Sequence, residues 1–244
     1  MQHKNENSQM SLYAHLEELR HHLLLAMAGL GLAVLISFIF TPAVINFLAM
    51  PVGGVANLQA IDVTETIQVY MKVALLCGVI LSSPWIFYQL FLFIGKGLTE
   101  KEKRSLLVAI PFVTLLFAGG AVFAFFIMLP PAMTFFSGLL NIQTVIRIRS
   151  YFDFTVNLIF WIAVSFEIPL IFYILARFGF IKAAQMTKGW RIAVVGIAVL
   201  AAVITPTPDP VNMAIFMIPL FGLYLLSILL VRIAAKNRAT ATEE

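Results

Sequence analysis

The sequence predicts an all-α, polytopic membrane protein with six transmembrane helices. Three observations predict it. Hydrophobic residues fill 61% of the 244 positions and charged residues only 11%, more apolar surface than a soluble globule of this size could bury. The apolar positions gather into long continuous runs, each near the roughly 20 residues that carry a helix across a hydrocarbon core. Lysine and arginine crowd into alternate connections between the runs.

The runs are 23–40, 73–94, 105–129, 154–176, 192–204 and 211–231, and only the fourth holds a formal charge, Glu167. Transmembrane strands would alternate in polarity over about ten residues, so these runs are helices. The first run has no small-residue cleavage site after it, which makes it a retained anchor rather than a removed signal. Ahead of it Leu12, Leu16, Leu19 and Leu23 follow helical spacing, so 1–22 reads as a cytoplasmic amphipathic segment. The division is then 1–22, a transmembrane domain over 23–231 and a tail over 232–244.

Connections with Lys96, Lys101, Lys103 and Arg104, and with Arg177, Lys182, Lys188 and Arg191, belong inside with both termini. Thirteen basic residues fall on that side, against Lys72, Arg147 and Arg149 on the other, which predicts both termini in the cytoplasm. Pro84, Pro111, Pro169 and Pro219 interrupt the runs and predict kinks. Gly120 with Ala124, and Gly29 with Ala33, have the spacing that lets helices approach closely.

A carboxylate at the centre of a membrane helix costs at least about 2.5 kcal/mol, so Glu167 faces protein or water. Fourteen residues separate it from Asp153, nearly four turns, which puts both on one helix face. Glu167 is read as an intramembrane polar site, with packing, ion passage and polar docking all open. Thr99 fits an N-cap with Glu102 three residues on, and the alternative is that Glu18 and Glu102 hold a cationic ligand. Asp209 fits an N-cap, with Pro210 the first residue of the last helix.

The fifth run has 13 apolar residues between Arg191 and Thr205, about 20 Å of helix for a core near 30 Å. The last two helices therefore read as a short hairpin that a partner helix shields, with Val199, Val203, Thr205 and Met213 as docking positions. Enzyme classes lack their residues. All four histidines precede the first run, no phosphate-binding loop is present, and the single Cys77 excludes an internal disulfide. No catalytic, metal, cofactor or nucleic-acid site is expected.

The segments His15-Leu16-Glu17-Glu18-Leu19-Arg20, Ser83-Pro84 with Tyr88-Gln89, Leu98 to Arg104, Val164-Ser165-Phe166-Glu167-Ile168-Pro169 and Thr205-Pro206 to Asp209 resemble the TatC family. That family is the multispanning subunit of the twin-arginine protein translocase. The resemblance implies a receptor for twin-arginine signal peptides on folded cargo, which self-associates and assembles with the single-span TatA and TatB in a bacterial cytoplasmic membrane. The protonmotive force drives the export. It implies that Glu18 and Glu102 meet the arginine pair, with Phe93 close by and Arg20 within the same motif. It also implies roles for Pro51 and Asp209 on the far side, and for Glu167 as the family's acid within the membrane. Two departures stand out: no proline follows Ile94-Gly95-Lys96, and Met213 replaces a glutamine. A proton-coupled secondary transporter and a structural scaffold are the competing classes. Only the receptor binds a two-arginine peptide more tightly than its two-lysine form.

Overall fold

The computed structural model describes residues 12–95, 100–138, 145–205 and 210–240. Helix α1 (Leu12–Leu48) is followed by α2 (Val63–Gly95) and α3 (Glu100–Phe123), which passes through a π turn at Ala124–Met128 into α4 (Leu129–Gly138). Then come α5 (Ile148–Ser165), α6 (Ile168–Arg177), α7 (Ala183–Lys188), α8 (Trp190–Ile204) and α9 (Pro210–Thr240). Five spans are long and apolar enough to cross a membrane, and α8 is the sixth, shorter crossing. The end where α1 begins and α9 finishes is called the terminal end below.

Helix α5 is the centre of the bundle, with Phe152, Leu158 and Ile162 buried against α2, α3 and α8. Helix α1 packs mainly on α2, touches Phe125 and Tyr151 only near its end, and turns Leu32, Leu35 and Ile39 outward, as a helix immersed in lipid can. Small residues set the closest approaches. A Cβ on Gly120 would lie 2.8 Å from the Ala163 Cα, and one on Gly78 would lie 2.9 Å from the Val34 Cα. The Gly120–Ala124 spacing thus marks a real contact, and Gly29 makes room for the Trp85 ring.

The prolines fall into two settings. Helices α2, α3 and α9 run on through Pro84, Pro111 and Pro219. Pro84 frees the Ile80 carbonyl, and the Ser83 hydroxyl donates to it at 2.8 Å. Pro42, inside α1, frees the Phe38 carbonyl, which accepts from the Tyr70 hydroxyl at 2.7 Å. Only at Pro169 does a span break, with Phe166 and Glu167 between α5 and α6. The π turn precedes Pro130 and Pro131, which supply no N–H to continue the ordinary ladder, and Leu129 donates five residues back to Ala124.

Three helices bear on the boundaries read from the sequence. Helix α1 continues without a break from Leu12 into the membrane, so Leu12 to His22 form the first turns of the same helix that crosses it. Helix α8 is short, at 15 residues or about 22 Å. Its partner is not: α9 has 31 residues, because Arg232 to Thr240 holds helix-favouring lysine, arginine and alanine beyond the apolar stretch. The hairpin is therefore short on one arm only.

At the opposite end the chain reverses at Gly53 and Gly54, whose φ values of 83° and 98° suit glycine. A two-residue parallel bridge then pairs β1 (Leu58–Gln59) with β2 (Ile146–Arg147). Glu65, fully buried, accepts from Arg147 Nε at 2.5 Å and from the Ile61 N–H at 3.3 Å. Arg147 also reaches Asp62 at 3.7 Å. The Glu65 carboxylate holds the guanidinium of Arg147 above its ordinary pKa. One clasp ties the first loop to the third.

Candidate functional site

At the terminal end, α1 and α2 bring together Glu18, His22, Gln89 and Phe93. Glu18 and His22 stand four residues apart on one face of α1 and are both half-buried. His22 Nδ1 is 2.8 Å from Oε1 of the buried Gln89, and its ring stands edge-on to Phe93 at 6.5 Å between centroids. Helix α3 begins beside them, because Gly95 at the end of α2 leaves room for the Lys103 side chain; a Cβ there would lie 3.3 Å from Lys103 Cγ. Glu102 precedes Lys103 in the first turn of α3, so its backbone belongs to the same corner. Arg20 is exposed and half a helical turn from both Glu18 and His22, so it faces away from them. Thr99, the expected cap, lies outside the described residues, and α3 starts at the next one.

Glu167 occupies the break between α5 and α6 and is only 6% exposed. Its backbone N–H bonds to Val164 at 3.1 Å and its carbonyl accepts from Ile171, whereas Oε1 is shielded and has no hydrogen-bond partner. The acid is enclosed by protein. Asp153, nearly four turns before it, forms an ion pair with Lys72 of α2, both half-buried. Arg149 adds a longer contact to Asp153 at 3.8 Å.

A concavity of about 640 Å³ lies at the opposite end, lined by Phe47, Met50, Pro51, Phe125, Phe126 and Met133 among others. Pro51 is thus on its rim, and the π turn supplies Phe125 and Phe126. Asp209 lies outside the described residues, and Pro210 opens α9 as expected. On α8, Val199 and Val203 turn outward at 59% and 54% exposure in line with Ile192 and Val195, while Ile197, Ala201 and Ile204 pack inward. Thr205 is buried, its hydroxyl donating back to Ala201 at 3.0 Å, and Met213 is half-buried. The four proposed docking positions therefore divide into an outward pair, a buried threonine and a half-buried methionine.

Sequence reasoning passed over His22 and the Glu65–Arg147 clasp. The i, i+4 spacing of Glu18 and His22 was available, but the Gln89 contact spans 67 positions and the clasp 82.

A family model described as Sec-independent protein translocase protein (TatC) matches residues 14–219. The TatC of Synechocystis is 34% identical over 95% of this chain and 91% of its own, and that of Deinococcus radiodurans is 33% identical over 96% and 88%. The chloroplastic TATC of Pisum sativum is 34% identical, with this chain spanning 66% of its length. Among solved structures, one described as twin arginine translocase receptor TatC superposes with a TM-score of 0.79 at 32% identity, covering 90% of this chain and 99% of that one.

Proposed function

The chain belongs to the TatC family of Sec-independent protein translocase proteins, and from that membership we propose that it is the receptor of a twin-arginine translocase, binding signal peptides of folded cargo at its terminal end. The observation that supports the reading is the meeting of His22, Gln89 and Phe93 one turn from Glu18, with the first turn of α3, which carries Glu102, close to the end of α2. Thirteen of the 16 basic residues fall in the segments that the sequence assigns to this side, so Glu18 and Glu102 among them suit a cationic ligand better than general solvation. The basic excess also supports both termini in the cytoplasm, with the multi-pass chain in a bacterial inner membrane.

Two carboxylates suit two guanidinium groups, because each charge-assisted fork contributes about 1.5 to 3 kcal/mol and fixes orientation. Phe93 offers an apolar edge for the rest of the peptide, and Arg20 stands on the outer rim. Single-span partners of the TatA and TatB kind dock on the outward face of α8, where Val199 and Val203 stand beside the span that cannot fill the bilayer alone. Glu167, Pro51 and Asp209 act later, once cargo is bound and the protonmotive force drives passage. A secondary transporter would pair two halves with matching broken helices. The break at Glu167 has no counterpart among the described residues of α1 to α3.

The test is a binding titration of purified protein with a two-arginine peptide and its two-lysine form. Tighter binding of the arginine peptide, lost in Glu18→Ala and Glu102→Ala, is the expected result. Equal binding of both peptides rejects the receptor reading.

A further inference from the structure

His22 carries a hydrogen-bonding atom that no contact among the described residues uses. Its Nδ1 meets Gln89 Oε1 at 2.8 Å, and a carboxamide oxygen only accepts. A ring that carries a single proton therefore holds it on Nδ1, which leaves a lone pair on Nε2. That Nε2 is shielded from solvent and has no hydrogen-bond partner. Buried polar atoms are nearly always satisfied, so an orphan acceptor within a recognition corner calls for a donor from a ligand.

We propose that His22 Nε2 accepts an N–H from an arginine of the bound signal peptide, making His22 a binding residue beside Glu18. The inference rests on the receptor reading of this end. Chemistry favours arginine as the donor. A guanidinium presents five N–H groups in a planar fork, so a carboxylate can take two while a third reaches the imidazole. A lysine ammonium concentrates its three donors at one point and spans both acceptors poorly. Nε2 is shielded from solvent, so the groups that cover it move aside as the arginine enters. His22 thereby raises affinity and sharpens the choice of arginine over lysine.

Two substitutions separate this role from a structural one. His22→Asn keeps an amide where Nδ1 stands, able to donate to Gln89, and has no atom in place of Nε2. His22→Gln extends its amide toward the Nε2 position and gives up the Gln89 contact. Titrate purified full-length wild type and both variants with the two-arginine and two-lysine peptides. Loss of one hydrogen bond to a charged donor weakens arginine-peptide binding about tenfold in His22→Asn. The ratio between the two peptides falls with it, and His22→Gln retains more of both. If the order is reversed, His22 acts only by holding Gln89, and the proposal fails. If all three proteins bind alike with the arginine preference intact, the proposal fails and the receptor reading survives. If wild type shows no arginine preference, both fall. Should His22→Asn not yield folded protein, His22→Phe keeps the ring volume without either nitrogen, and unchanged affinity there overturns the proposal equally.

Discussion

Replacing Gly120 by alanine adds one methyl group where α3 crosses α5. The new Cβ would lie 2.8 Å from the Ala163 Cα and 2.9 Å from the Phe166 Cγ. Carbon atoms in comfortable contact are roughly 3.5 to 4.0 Å apart, so the two helices must separate by the best part of an ångström. Ala163 offers a backbone atom that cannot rotate away. The separation loosens Phe117, Ala121 and Ala124 against Leu158, Ile159 and Ile162, and overpacking of this kind costs about 1 to 3 kcal/mol. Alanine also gains helix propensity over glycine, about 1 kcal/mol, which would mask part of the loss. Gly119→Ala removes that ambiguity, because a Cβ there meets nothing within 4 Å while the propensity gain is shared. The difference between the two variants isolates the packing cost. At roughly 2 to 4 °C per kcal/mol for a chain of this size, Gly120→Ala should melt roughly 2 to 12 °C below Gly119→Ala in detergent. Equal melting temperatures would refute the close-approach argument.

Four further outcomes follow from the same geometry. Glu18→Ala and Glu102→Ala should each weaken binding of a two-arginine peptide about tenfold or more by titration, and unchanged affinity in both would remove them from the site. Tyr70→Phe leaves the Phe38 carbonyl, freed by Pro42, without its donor and should cost about 1 to 3 kcal/mol, read as a lower melting temperature. Reversing one charge of the Lys72–Asp153 pair, as in Asp153→Lys, should lower the yield of folded protein, and the double exchange with Lys72→Asp should restore it; no rescue would mean the pair is incidental. Cysteines at Val199 and Val203 should form disulfides with a partner helix of the TatA or TatB kind more readily than one at Thr205, which is buried. Absence of cross-links at both valines, with cross-links elsewhere on the chain, would reject docking on α8.

What the sequence determined by itself is the part governed by solvent and by local spacing. Six helices follow from apolar runs of bilayer length, because lipid lets only a helix or a closed barrel satisfy its own backbone. The shortness of α8 was readable between Arg191 and Thr205, and the close approach at Gly120 from its spacing to Ala124. The acids Glu18, Glu102 and Glu167 were legible because a carboxylate among basic or apolar neighbours is costly and therefore conspicuous. Tertiary structure decided whatever depends on a partner far along the chain. A proline in a membrane helix frees the same carbonyl everywhere, yet Tyr70, 32 residues away, answers Phe38, whereas the span at Pro169 breaks and carries Glu167 into the bundle. Asp153 is paired with Lys72 on α2, 81 positions away. His22 looked like one of several histidines before the membrane until packing set it against Gln89, 67 positions away. Periodicity reports which face of a helix is apolar; which atom of another helix meets it is settled only when the helices pack.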